Sequence, residues 1–165
     1  MNLERLVSKL PSTTITIQGK PYLTRYYVLG GDRQFGNVYI HHFHTSDQGD
    51  ELHNHPWAWG FSIVLAGGYI EERARDPMVW EADPVPGEGA KIFGMKRKVE
   101  IIERLIRPGS LNFIRSSDYH RTDLIDEAEG AWTLFFTGPR RSAWGFLNRH
   151  TSEFKDFRRN PEAIP

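Results

Sequence analysis

The sequence contains no cysteine. Disulfides and thiolate metal sites are therefore excluded, and any bound metal must be held by histidine nitrogen or carboxylate oxygen. It also lacks an excess of either charge, since 21 Lys+Arg residues balance 21 Asp+Glu. That is unlike the basic stripe of a nucleic-acid binder. No apolar run approaches the roughly 18 residues of a spanning helix, so no membrane partner is expected. The stretch Met1–Leu6 mixes charged and apolar residues rather than forming a signal peptide, and a cytoplasmic location is the expectation. What is present suffices for a core: 39% of the 165 residues are hydrophobic and 13% aromatic. One domain over 1–165 is expected.

Leu3, Leu6, Val7 and Leu10 recur at helical spacing, with Asn2 able to cap and Pro11 to stop the run, which predicts a short helix over 2–10. From Thr13 the texture changes to short β-branched and aromatic runs between glycine, proline and aspartate clusters. Strands are predicted at 13–18, 22–29, 37–43, 51–57, 61–66, 69–75, 111–115, 119–125, 132–137 and 143–147. Many short strands with hardly a helix between them imply an antiparallel sandwich or barrel, with its core over about 13–147. Residues 83–89, with two prolines and two glycines, read as a loop. The segment 98–107 carries apolar residues at a spacing that suits a helix, but Pro108-Gly109 follows directly, and a strand is the preferred reading. The tail after His150 reads as a short helix or a frayed end, with Phe154 and Phe157 as docking points.

Of seven histidines, five fall between His41 and His55. Strand residues at i and i+2 share a face about 7 Å apart, so His53 and His55 can converge on one ion from a single strand. Such a pair also arises by chance, and surface histidines near Asp47 and Asp50 need no ligand role. His41 shares its parity with Tyr39 and Phe43; a satisfied core histidine and a catalytic or substrate-facing group are both open readings. Trp57 lies on the His53/His55 face, either as a pocket wall or as core packing.

The segment from Gly49 through His53-Asn54-His55-Pro56-Trp57 to Gly67 resembles the first motif of the cupin family. Arg107-Pro108-Gly109 through to His120 resembles the second. Small, uncharacterised bacterial or phage cupin-like proteins have a similar His-x-His-Pro-Trp segment. The resemblance covers roughly 37–137 and implies an all-β, cupin-type barrel (a double-stranded β-helix, or jelly roll) with a short N-terminal helix. It also implies that His53, His55 and His120 are metal ligands. Two positions depart from the family pattern: the motif glutamate falls on Gly60, and the closing asparagine of the second motif falls on Leu124. The Pro-Gly to histidine interval is longer than usual as well. Three imidazoles still suffice for a divalent ion with open positions, iron(II) being favoured and zinc, manganese, nickel or copper being alternatives.

If Gly60 faces inward, Ser62, Val64 and Ala66 do too, which leaves room for substrate. Ser62 could bond a substrate or simply backbone, and Thr122 points the same way as His120. Glu51 could be a fourth ligand, a partner of a ligand or a base; equally, it could be solvated at a strand start. Arg25 and Arg115 lie on strands, but the sequence does not orient them. Arg140-Arg141 reads as a basic turn, with anion binding the less expected role. The three-histidine set resembles that of thiol dioxygenases and some ring- or diketone-cleaving dioxygenases. The leading expectation is thus a mononuclear non-haem iron oxygenase or dioxygenase acting on a small molecule. A non-redox metal-dependent isomerase or lyase, using Glu51 or His41 as proton carrier, is the alternative; a non-catalytic ligand-binding cupin is the third. A homodimer is expected, with Thr13–Gln18 as the suspected pairing edge.

Overall fold

The computed structural model describes residues 3–30, 34–75, 79–82 and 95–156. The strands are β1 (Ser12–Ile17), β2 (Lys20–Tyr27), β3 (Asn37–Phe43), β4 (Leu52–His53), β5 (Trp59–Gly67), β6 (Tyr69–Ala74), β7 (Val79–Ala82), β8 (Met95–Lys98), β9 (Ile101–Ile106), β10 (Leu111–Arg115), β11 (His120–Leu124), β12 (Ala131–Thr137), β13 (Gly145–Leu147) and β14 (Phe154–Asp156). They build two six-stranded antiparallel sheets, ordered β1-β2-β3-β12-β5-β10 and β14-β13-β4-β11-β6-β9, with β7 and β8 as a separate pair. Among the described residues no helix is long and apolar enough to cross a membrane.

Period-two patterning sets which side chains face the interior. In β10 exposed and buried residues alternate strictly, and Asn112 and Ile114 point in. In β12 both faces are buried, because Thr133 and Phe135 line the interior while Trp132 lies beneath the N-terminal helix. That helix, α1 (Leu3–Val7), buries Leu3 and Val7 against Ile40 and Trp132. It is shorter than the nine residues expected, since the chain turns at Leu10, whose N–H donates to Val7 O at 2.9 Å. Val64, Tyr69, Ile106 and Ala131 form one core cluster, and Tyr39, Trp57 and Phe135 form another, with Trp57 against His55.

Several expectations need correction. The strand read over 51–57 shrinks to Leu52–His53; Pro56 cannot donate to a ladder, and Trp57 keeps only an isolated bridge to Arg140. The tail is neither helix nor fray where it is described: Phe154–Asp156 pairs antiparallel with β13. Most of the 98–107 segment is a strand: Ile101–Ile106 is β9, paired with β6, while Lys98 ends β8. Its helix-like pattern arises because Ile102 and Leu105 stay exposed on an outer surface. Gly109, with φ of 86°, makes the turn into β10 that Pro108-Gly109 implied. β1, the suspected pairing edge, is the outermost strand of its sheet. The predicted loop at 83–89, Asn2 and Phe157 lie outside the described residues.

Candidate metal centre

His53 ends β4 and His120 begins β11, and the register sets them directly opposite one another. Directly opposed strand residues share a face with Cβ atoms about 5 Å apart. Their ring centroids are 4.6 Å apart accordingly. His55 comes from the irregular stretch after β4, so its approach does not depend on strand parity. Asn54, buried between the two histidines, holds that stretch. Its side-chain NH₂ donates to Ser116 O at 3.1 Å and Ala143 O at 3.2 Å, and its Oδ1 accepts from Gly145 N–H at 2.9 Å. The result places one ligand nitrogen from each of His53, His55 and His120 within 4.8 Å of the others.

The protonation pattern favours a cation. Glu71, on β6 and wholly buried, accepts from His120 Nδ1 at 2.9 Å, from Arg73 at 2.8 Å and from Asn112 at 2.8 Å. Burial alone would raise its carboxyl pKa, but the His120 and Arg73 interactions outweigh it and hold the value at about 2. An ionised carboxylate only accepts, so His120 must carry its proton on Nδ1. Its Nε2 then faces His55 Nε2 at 2.9 Å. Burial also lowers His53 to about 4 and drives His55 well below its ordinary value, the neighbouring histidines adding to the effect on His55. Three imidazoles converging in this way match the donor set of a divalent transition metal. His53 Nδ1 lies 3.6 Å from Asp47 Oδ2, too far for a direct hydrogen bond.

The cluster lies against a cavity of about 900 Å³ lined mainly by apolar and aromatic side chains. Trp57 stacks on His55 with centroids 5.3 Å apart and forms part of the wall, and Ser62 and Thr122 are buried in the lining. His41, also buried there, lies between Tyr39 and Phe135 and accepts from Arg25 Nε at 3.3 Å. Burial, reinforced by the Arg25 charge, holds His41 well below its ordinary pKa. Glu51 borders the cavity, but its carboxylate accepts from Lys155 at 3.1 Å, so it stands apart from the three histidines.

Gly60 explains the missing motif glutamate. A Cβ there would meet the Phe135 ring at 2.7 Å. The ring fills the space that a fourth ligand's side chain would need. Sequence reasoning missed Glu71 and Asn54, because Glu71 lies 49 residues from His120 and Asn54 was read only as a spacer.

The chain is similar to HppE bound to the alternative substrate (S)-1-HPP, with a TM-score of 0.53 and 13% identity over 79% of this chain and 57% of that one. It is similar to hydroxypropylphosphonic acid epoxidase from S. wedmorenis with a TM-score of 0.51 and 13% identity, covering 79% of this chain and 56% of that one. The fold is that of the cupins. An RmlC-like cupin protein from Ralstonia eutropha JMP134 covers 95% of this chain and 80% of its own, at 7% identity and a TM-score of 0.49. No family model matches the sequence, and neither does any curated protein. The chain spans a little over half the length of the epoxidase chains it resembles, 57% in the HppE case.

Proposed function

We propose that this cupin is a metal-dependent enzyme acting on a small molecule, and that it is a mononuclear non-haem iron oxygenase. The observation that carries the reading is the meeting of three imidazoles from two distant stretches of chain beside a largely apolar cavity. The iron(II) reported for HppE, a protein of the same fold, adds support. In this reading His53, His55 and His120 hold the ion, and iron(II) there supplies redox capacity and positions open to substrate and oxygen. Glu71 keeps the proton on His120 Nδ1 and so fixes which nitrogen faces the centre. Trp57 and Phe135 shape the wall and exclude water, and Ser62 and Thr122 offer hydroxyls to a bound substrate. The Arg25–His41 pair gives the cavity a polar handle.

A second reading, a metal-dependent isomerase or lyase, draws on one observation: His41 is kept neutral beside the cavity and could carry a proton. The test begins with metal analysis of protein prepared without a histidine tag, alongside His53→Ala, His55→Ala and His120→Ala. Near-stoichiometric metal in the wild type and its loss in each variant is the expected result; full retention in the variants removes the site. Oxygen uptake on a panel of small organic substrates then separates the readings. Turnover with uptake supports the oxygenase, and turnover without it supports the isomerase or lyase.

A further inference from the structure

Arg25 points from β2 into the same cavity. Its Nε donates to His41, while its guanidinium carbon lies 4.9 Å from the centre of the Tyr39 ring and 5.8 Å from that of Trp57. These contacts orient the planar group from one edge and one face. Its two terminal nitrogens have no carboxylate partner among the described residues. The acids that border the cavity are already engaged. Asp47 accepts from the Tyr22 hydroxyl and, at 2.7 Å, from the Thr122 N–H, and Glu51 is held by Lys155. Neither donor to Asp47 is charged, so its negative charge stays at the cavity, but Arg25 forms no ion pair with it or with any other described carboxylate and presents a positive charge of its own. Arg140 and Arg141 add the same sign at its border, each exposed. The rest of the lining is apolar in large part, including Leu23, Phe43 and Phe146.

An oriented guanidinium whose two terminal nitrogens lack a carboxylate partner matches the paired oxygens of a carboxylate or phosphonate. We infer that the cavity selects a small organic anion whose terminal oxyanion is held by Arg25 while its apolar body lies along the aromatic wall toward the three histidines. This rests on the reading of the cavity as a substrate site. It goes further by fixing the class of substrate and the residue that chooses it.

The test is a calorimetric titration of the full chain with a series of alkyl and phenyl carboxylates and phosphonates, each beside its uncharged amide or ester. At least one acid is expected to bind about tenfold or more tightly than its neutral counterpart, the range of a charge-assisted hydrogen bond. The two arms of the series show which oxyanion is preferred. Arg25→Gln is expected to erase the preference while leaving metal stoichiometry unchanged, and Arg25→Lys to keep part of it, since the charge survives without the fork. His53→Ala is expected to lose metal yet keep the preference. The inference is overturned if no acid outbinds its neutral partner, or if folded Arg25→Gln keeps the full preference. A preference lost in His53→Ala but intact in Arg25→Gln also overturns it, because the anion would then sit on the metal. A wild type that binds no metal but still prefers acids would remove the oxygenase reading and leave this one standing.

Discussion

Glu71 has no solvent exposure, yet it is ionised and shared between a histidine and an arginine. Its second oxygen is buried without a hydrogen bond, with Arg104 at 3.8 Å. Removing such a partner leaves the buried side of Arg73 with only Asp118 at 3.5 Å to balance its charge and strips Asn112 and His120 of their acceptor, so Glu71→Ala should cost about 3 kcal/mol of stability in chemical denaturation of the metal-free protein. Glu71→Gln keeps the shape but frees the His120 tautomer. It should weaken metal binding by about 10–100-fold in a competitive chelator titration. An unchanged affinity would show that the carboxylate does not tune the ligand. Asn54→Ala should cost about 2 kcal/mol by the same denaturation measurement, because the Gly145 N–H and two carbonyls lose their buried partner. Metal affinity should fall with it, as the stretch that carries His55 loosens.

Among the elements, β5 and β12 bring Gly60 and Phe135 together across the sheet. The Phe135 ring is one wall of the cavity and packs near both Trp57 and His55. Gly60→Ala should therefore force the ring to move and cost about 1–3 kcal/mol, read as a lower denaturation midpoint. Gly60→Glu, which restores the family's motif residue, is expected to destabilise more and to add no metal affinity. A tighter site in that variant would contradict the steric account. The short β4 is framed by β11 and β13, each pairing with His53. A two-residue strand can hold a ligand in place because its neighbours are in register on both sides.

For the molecule as a whole, the buried histidines set the response to acid. Burial lowers the pKa of His41, His42, His44, His53 and His55, with His42 and His53 at about 4 against an ordinary 6.5. Between those values the unfolded chain holds the proton and the folded chain does not, so falling pH favours unfolding. The contribution is complete above pH 6.5 and lost as the pH drops toward 4. Glu71 adds a separate window: its stabilisation is present above its ordinary 4.5 and lost as the pH falls toward 2. In urea titrations the midpoint of the metal-free protein should fall steadily across the first window. His42→Gln should flatten part of that slope without touching the metal site, since His42 stacks on Trp132 beneath α1 rather than in the cavity. A midpoint that stays level between about pH 6.5 and 4 would contradict this sign.

Local patterning was enough to put His53 and His55 forward as a pair and to place most strands within a few residues, while His120 and the departure at Gly60 came from the resemblance to the cupin motifs. Period-two alternation and turn chemistry act over a handful of neighbours, so a reader of the chain can see them. Where His53 and His55 were expected to converge along one strand, the barrel used a different device: His120 sits across from His53, and Asn54 steers the loop that carries His55. The Glu71 contact to His120, the Phe135 ring over Gly60 and the aim of Arg25 into the cavity were equally out of reach. Each depends on which strands pair and in what register, a choice made by burial of the whole core rather than by any single segment.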